Sequence, residues 1–442
     1  MTMTRIAQGM GMAVMTAMAA GLGFAAPAGA EPVTLGQAYA LALGQSEDVR
    51  AGEEGVRQAR DEISRAVSTV LPQVTLSGTY TRYPEERGPF GVIQPRWSHG
   101  VEARVEQALY AGGKNAAGRR IAEHGVSAAA KDVRLAQEGV LLRVTEVYYG
   151  LLRGRKTAEI QRRNVERLTE HRRLSELRYK VGEITESIVL RAEAELAGAR
   201  AELAARENDA AVAERELQLL LGLPGTMEIV EPELPQLSAQ AVESLRAAAQ
   251  QNRDDLLKSR VRERAAHERV AFARSAFFPT VTLEGLYFLR DQDPRSNFFI
   301  DESWSIGGRV NFPIFEGGLR RAELRQAQSR LEQGRLATAK LGKQIDLDVT
   351  RASLTLDAVT RALDSRREQY RAAAKNYEMV SKQFTFGLAT NLDLLDANQA
   401  LIEAERDVIA TTYDQHLAIV NVQRSAGVFL TEALQAMPGG RT

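Results

Sequence analysis

The sequence of 442 residues predicts an α+β fold of two tandem structural repeats, each with two β-strands and a long α-helical hairpin. Three observations carry this prediction. The second half of the chain repeats the first, and each half contains two short segments in which apolar and polar residues alternate. Each half also has apolar residues at heptad spacing over an unusually long stretch without proline.

The internal repeat is visible as matched motifs. Residues 71–80 are echoed by residues 278–287, a separation of 207 that also carries Trp97 onto Trp304. From Gly112 onward the separation is 205, so the helical stretches keep their register. A unit of this length, repeated only twice, is not a short-period solenoid. We therefore expect the first repeat at 31–222, a linker at 223–238, the second repeat at 239–428 and a tail at 429–442.

Residues 1–30 are predicted to be a cleaved signal peptide. Arg5 gives a positively charged start, an apolar stretch of small residues follows, and Ala28-Gly29-Ala30 offers a small-x-small cleavage site. Nothing after this segment offers about 18 uninterrupted apolar residues, so we expect no membrane-spanning helix. The sequence has no cysteine, which predicts no disulfide and no lipid anchor.

The composition argues against several function classes. Lys and Arg together number 57, as do Asp and Glu, which excludes a globally basic nucleic-acid binder. The five histidines are scattered without metal-ligand spacing, and no phosphate loop or nucleophile motif is present. We therefore expect no enzyme activity, no cofactor, no metal site and no nucleic-acid partner.

Each repeat is predicted to run in the same order. A helix is ended by a proline, two alternating strands flank a loop, a Gly-Gly pair stops the second strand, and two long helices follow. The turn between the long helices falls near Gly182 in the first repeat and near Gly387 in the second. The first repeat has helices at 34–70, about 115–180 and about 185–221, and strands at about 73–83 and 97–107. The second has helices at 239–277, 320–385 and up to about 427, and strands at about 280–289 and 303–312.

The predicted strands are amphipathic and about 9–12 residues long, as a tilted membrane-spanning strand requires. In the last strand Trp304 and Ile306 fall on the apolar face, and Arg309 and Asn311 fall on the face expected to line a lumen. Four strands cannot close a barrel, and an open amphipathic sheet would aggregate, so we expect an α+β membrane protein closed by oligomerisation. Three copies would give twelve strands, but the pattern leaves the number open, and a soluble sandwich or a β-ribbon is the alternative. The aromatic residues expected to form an interfacial girdle are Tyr80, Tyr83, Trp97, Tyr287, Phe288, Trp304 and Phe312.

Several motifs, in this order and duplicated, give the chain a family resemblance. They are the helix–proline–strand junctions Leu71-Pro72 and Phe278-Pro279, the strand exit at 312–318 and the turn with its return helix at 386–397. The chain resembles the trimeric outer-membrane efflux proteins typified by TolC, over nearly all of its length after the signal. The resemblance implies a homotrimer with a twelve-stranded outer-membrane β-barrel and a twelve-helix periplasmic α-barrel tunnel.

The same resemblance implies a function. The chain would be the passive exit channel of a tripartite efflux pump or a type I secretion system. Its partners would be a periplasmic adaptor and an inner-membrane pump of the RND or ABC type, with lipid around the barrel. A periplasmic coiled-coil adaptor or scaffold is the alternative, but an adaptor would have one hairpin where this chain predicts two.

Asp393 and Asp396 are the candidate gate residues. They lie three residues apart just past the second turn, so they share a helix face. The resemblance places them at the periplasmic constriction, where three copies would set six carboxylates around one opening. Such a ring would raise the pKa values of its carboxylates, concentrate cations and exclude anions. The matching positions of the first repeat are Ile188 and Arg191, so the acidic ring belongs to the second hairpin alone.

The two turns are the expected contact with an adaptor, again by resemblance. The residues concerned are Val181, Gly182, Glu183, Phe386, Gly387 and Leu388. The family also implies a lock between the two turns, but its positions here read Phe384, Ala389, Ile188 and Ser187, which cannot form its hydrogen bonds and ion pair. We expect weaker exposed pairs to replace it, formed by Glu183, Glu186, Arg178 and Lys180.

Overall fold

The computed structural model describes residues 32–88, 94–225, 227–233, 242–295 and 298–439. The predicted signal peptide at 1–30 lies outside the described residues, as does part of the linker at 223–238. The elements in chain order are α1 (Leu35–Gln45), α2 (Glu47–Ser68), β1 (Gln73–Arg82), β2 (Trp97–Ala111), α3 (Lys114–Lys180), α4 (Glu186–Leu221), α5 (Val242–Asn252), α6 (Asp254–Ser275), β3 (Thr280–Asp293), β4 (Glu302–Asn311), α7 (Leu319–Thr385), α8 (Asn391–Ser425) and α9 (Phe429–Gln435).

The four strands form one antiparallel sheet in the order β1-β2-β3-β4. The register pairs Gly78 with Val101, Val101 with Leu289, and Leu289 with Glu302, so each face continues across the sheet. One face is apolar and fully open to the surroundings of the single chain. Its exposed large side chains are Val74, Leu76, Tyr80, Val101, Val105, Leu283, Tyr287, Leu289, Trp304, Ile306 and Val310.

The opposite face of the sheet is mainly polar. It also holds Phe288, one of the residues predicted for the aromatic girdle. Phe288 is paired with Glu102 and Ser303, so it lies on the polar face and not on the apolar one. There the Arg290 guanidinium carbon lies 4.1 Å from the centre of its ring. The sequence pattern missed this because Tyr287 and Phe288 are adjacent, and neighbouring residues of a strand point to opposite faces.

Both helices predicted before the strands are interrupted. The helix expected at 34–70 breaks at Ser46, and the helix expected at 239–277 breaks at Arg253; both residues have extended backbone. The two breaks are 207 residues apart, so they are the same feature of the repeat. At Ser46 the side-chain oxygen accepts a hydrogen bond from the Val49 amide (3.3 Å) and begins a new helix. The acidic residues after each break, such as Glu47 and Asp254, are the signal that could have revealed it.

The helices form a layer in which α3 is central. Helices α2 and α4 contact one side of α3, α6 and α8 contact the other, and α7 lies beyond α6 and α8. The layer therefore has two free edges, α2 with α4 and α7, just as the sheet has β1 and β4. Within the described ranges, none of the helices combines the length and the apolar character needed to cross a bilayer.

The main core lies midway along the helices, where α1 and α9 pack on α3. Tyr148 is fully buried there, and its hydroxyl donates to the carbonyl oxygen of Val33 (2.8 Å). The Tyr39 hydroxyl is hydrogen-bonded to the Thr145 hydroxyl (2.6 Å). The tail predicted at 429–442 contributes α9, whose Phe429 and Leu430 belong to this core.

Candidate functional site

The candidate site is the pair of helix turns at the far end of the two hairpins. Gly182 follows α3 with φ 81° and Gly387 follows α7 with φ 75°, a left-handed backbone that favours glycine. The Glu183 amide donates to the Arg178 carbonyl (2.9 Å), and the Leu388 amide donates to the Gln383 carbonyl (2.8 Å). Both turns are thus Schellman caps, in which the chain reverses at the glycine.

Large apolar side chains stand exposed at both turns. Phe386 is 80% exposed, and Leu388 and Val181 are similarly open. Exposed apolar groups clustered at the end of a molecule mark a contact surface. The six turn residues predicted from the sequence lie at the end of the two helical hairpins that is far from the sheet.

Asp393 is exposed and has a local structural role at the start of α8. Its carboxylate accepts hydrogen bonds from the Thr390 amide (2.8 Å) and hydroxyl (2.6 Å), while the Thr390 hydroxyl accepts from the Asp393 amide (3.2 Å). This is a capping box. The bonds from Thr390 hold the pKa of Asp393 below its usual range, opposite to the direction expected of a carboxylate ring.

Asp396 is also exposed and lines a groove of about 470 Å³ between α3, α4 and α8. Beside the groove, Leu196 and Ala199 of α4 and Leu395 of α8 pack with Leu168 of α3. The two return helices α4 and α8 therefore both pack against α3 near the turns. Asp393 and Asp396 both lie at exposed positions of α8.

A direct contact between the two turns is made by Arg178. Its guanidinium donates to the Phe384 carbonyl (2.7 Å) and the Thr385 carbonyl (2.9 Å), at the C-terminal end of α7. It also lies over the Phe384 ring, 4.7 Å from the centroid. A cation at a helix C-terminus is stabilised by the helix dipole and by free carbonyls.

The expected ion pair of Arg178 with Glu183 is present, but the closer contacts of Arg178 are with backbone carbonyls, which the sequence analysis did not expect. Arg178 is only 21% exposed, and its bonds run to backbone carbonyls, with Glu183 at 3.8 Å as a secondary partner. No ion pair joins Lys180 or Glu186 to another described residue. The sequence pattern missed the arrangement because a carbonyl acceptor leaves no trace in residue type.

A buried histidine lies behind Arg178. The His171 ring is 5.4 Å from the Phe384 ring, and neither ring nitrogen has a hydrogen bond within the described residues. Burial lowers the pKa of His171, and the nearby Asn391 amide opposes this only in part. The histidine therefore stays neutral where the two turns meet. The signal in the sequence was its position three residues after Leu168, on the apolar face of α3.

Further along, a polar seam joins α3 of the first hairpin to α8 of the second. The Asn398 amide donates to Asn164 (2.8 Å) and its oxygen accepts from the Arg167 guanidinium (2.9 Å). Arg163 forms an ion pair with Glu405 in the next turns. Burial lowers the pKa of Arg167, but an arginine stays charged. These contacts hold the hairpins side by side, and sequence reasoning did not find them.

The other candidate residues, Arg309 and Asn311, lie on the polar face of the sheet. Arg309 makes a two-pronged ion pair with Glu284, at 2.7 and 2.8 Å. The Asn311 carbonyl accepts from the Thr280 hydroxyl (3.4 Å). Both residues are more than 70 positions from the turns along the chain, and they form a separate region on the sheet. In the described part of the chain, no group of three or more metal-ligating side chains comes together.

Comparison with known proteins agrees with this architecture. The family model described as "Outer membrane efflux protein" matches residues 38–223 and 245–428. The outer membrane efflux protein BepC of Brucella suis is 27% identical over 390 residues, covering 86% of this chain and 84% of that protein. The outer membrane protein TolC of Vibrio cholerae is 22% identical over 398 residues, covering 86% and 88%.

Solved structures show the same fold. The structure of CusC superimposes with a TM-score of 0.78 at 17% identity, covering 89% of this chain and 92% of that one. The outer membrane protein VceC of Vibrio cholerae gives a TM-score of 0.74 at 20% identity, covering 89% and 96%. The resemblance inferred from the motifs is confirmed, and the chain belongs to the outer membrane efflux protein family.

Proposed function

We propose that three copies of this chain close into one continuous channel, with a sheet barrel at one end and a helical tunnel at the other. The chain is an outer-membrane exit channel of an efflux or secretion machine, and the adaptor alternative is not favoured. The observation that carries the proposal is that both the sheet and the helix layer of a single chain are open at two edges.

The open edges support closure by like copies. Strand β1 is exposed along its whole length and β4 along nearly all of it, whereas β2 and β3 are partly covered. On the same two sides, α7 and the pair α2 with α4 form the edges of the helix layer. Joining one edge to the other gives a head-to-tail interface, which closes into a ring when the rotation between neighbouring copies divides a full turn evenly. Twelve strands and twelve columns of helix would then satisfy every edge.

The two faces of the sheet support the orientation of the barrel. The apolar face, with Trp304 and Ile306, would contact lipid, and the polar face, with Arg309 and Asn311, would line the lumen. The exposed apolar area is too extensive for a free monomer in water. The absence of cysteine supports attachment through the barrel alone, without a lipid anchor.

Asp393 and Asp396 are proposed as the constriction of the helical tunnel. Both are exposed on the return helix α8, which packs against α3 near the turns. Threefold symmetry would gather six carboxylates, and the Thr390 bonds would keep Asp393 ionised at neutral pH. The exposed side chains at 181–183 and 386–388 would meet a periplasmic adaptor, and through it an inner-membrane pump. In line with this proposal, one similar protein is named as a secretion component, the alkaline protease secretion protein AprF of Pseudomonas aeruginosa.

The oligomer tests the channel proposal directly. Protein extracted with detergent is expected to be a trimer by mass measurement and to form channels in planar bilayers. A detergent-independent monomer that produces no conductance would reject the proposal.

The gate is tested by conductance. The double variant Asp393→Ala with Asp396→Ala is expected to raise single-channel conductance and to weaken block by multivalent cations, because the acidic ring is gone. Thr390→Ala is the matched control, since it removes the capping box but keeps both carboxylates. If conductance and block are unchanged in the double variant, or change equally in the control, the two aspartates are not the gate.

A further inference from the structure

The groove beside Asp396 also contains a positive side chain from the first hairpin. Arg191 of α4 lines the groove together with Asp396 of α8. The two residues are 205 positions apart, so they occupy the same place in their repeats. The chain thus sets opposite charges at equivalent positions of its two hairpins.

Neither side chain forms an ion pair with another residue in the described part of the chain. Arg191 and Asp396 are both exposed. The other charged side chains of the groove are Glu195, Glu202 and Arg406. Glu195 is one helical turn from Arg191 and is the nearest alternative partner along α4.

We propose that Arg191 is a selectivity-determining residue of the constriction, acting as the counter-charge of Asp396. This inference rests on the channel proposed above. Around a trimer, three guanidinium groups would stand among the six carboxylates, so that the opening carries a mixed ring with a reduced negative charge. Because an arginine keeps its charge at every accessible pH, the reduction is permanent.

The mixed ring changes what the opening excludes. A ring of six carboxylates alone would exclude anions strongly, whereas a ring that also contains Arg191 has a smaller net negative charge and excludes anionic solutes less strongly. The residue at the level of Asp393 in the first hairpin is Ile188, which adds no charge. Arg191 is therefore the one residue of the two matched pairs that opposes the aspartates.

The test is the reversal potential of single channels in a gradient of potassium chloride. Arg191→Gln is expected to raise the preference for potassium over chloride by about threefold or more. Coulomb's law in water gives this factor for a permeating ion that passes about 7 Å from the Arg191 charge. Arg191→Lys keeps the charge and is expected to match the parent protein. Arg173→Gln, which loses a pair with Glu170 of its own helix, is the control away from the groove.

Modification after assembly guards against a folding defect. Because the chain has no cysteine, Arg191→Cys gives a single thiol that a cationic or an anionic methanethiosulfonate reagent can modify in the bilayer. The cationic reagent should restore the parent preference and the anionic reagent should raise it further. An unchanged reversal potential with both reagents would overturn the role of Arg191. If the aspartate variants still alter conductance in that case, the channel and its gate stand without it.

Discussion

The two long helices α3 and α7 have the same length and the same place in their repeats, but their surroundings differ. Each has 67 residues, yet sixteen are buried in α3 and five in α7. Helix α3 is covered on both sides by neighbours of the same chain, and α7 forms an edge of the layer. A duplicated sequence has therefore given one helix that organises the protomer and one that is left open for another copy.

The residues of the two helices reflect this difference. Tyr149 of α3 is 1% exposed, and its counterpart Leu354 of α7 is 65% exposed. Leu152 is buried, and its counterpart is Asp357. Helix α7 has the same helical period as α3, but at these positions it lacks the large apolar side chains that are buried in α3.

The largest effect is expected at the pair Tyr149 and Leu354. Tyr149→Ala should destabilise the protomer by about 3–5 kcal/mol, because a fully packed aromatic ring leaves a cavity. Leu354→Ala should lower the thermal stability by much less, because the Leu354 side chain is not packed within its own chain. Thermal unfolding in detergent, followed by circular dichroism, measures both.

The same pair separates folding from assembly. Leu354→Arg should lower the trimer fraction in mass measurements while the helix content is kept, and Leu354→Met is the apolar control. Equal losses of stability at Tyr149 and Leu354 would mean that α3 and α7 are not central and peripheral as described.

The next effect is expected at Arg178 and its counterpart Gln383. Arg178→Ala removes two charge-assisted hydrogen bonds to the end of α7, a type of bond that contributes about 1.5–3 kcal/mol. We expect the turns to separate and the open probability of channels to rise. Gln383→Ala, at the matching position of α7, should have little effect. A closed channel in Arg178→Ala would show that the contact does not hold the turns together.

A smaller effect is expected at the two helix starts. Thr390 caps α8 through its side chain, whereas Thr185 at the start of α4 makes no such bond, and the third residue there is Ile188. Thr390→Ala should cost about 1 kcal/mol of local stability. Thr185→Ala should cost much less. Hydrogen exchange of the first turns of α8 and α4 compares them, and equal exchange in the two variants would contradict the capping box.

The smallest effect is expected from the protonation of His171, which should change the contact between the two turns as the pH falls. Burial lowers the folded-state pKa of His171, so the stability tied to its neutral form is present above the unfolded pKa of about 6.5 and is lost as pH falls through the folded value. Contacts between the turns should therefore loosen in mild acid. The groups that act on His171 are Asn391 and, at longer range, Glu195. Distances between spin labels on the two turns would report this, and His171→Gln should remove the pH dependence.

The duplication, the four alternating strands and the four long helices with their glycine turns could all be predicted from the sequence alone. These features depend on local period and on residues that stop an element, both of which can be read along the chain. The glycines also predicted the two turns, and the spacing placed Asp393 and Asp396 on one helix face, but their gate role is implied by the family resemblance and stays a proposal. The breaks at Ser46 and Arg253 escaped because neither residue forbids a helix.

Which of the two copies is central depends on tertiary packing and could not be predicted from the sequence. The tertiary structure also showed that Arg178 reaches backbone carbonyls of α7, that His171 is buried against Phe384, and that Arg191 shares a groove with Asp396. Each of these contacts joins residues about 200 positions apart. Periodicity describes which face of a helix is apolar, but the pairing of faces from distant segments depends on how the whole layer packs.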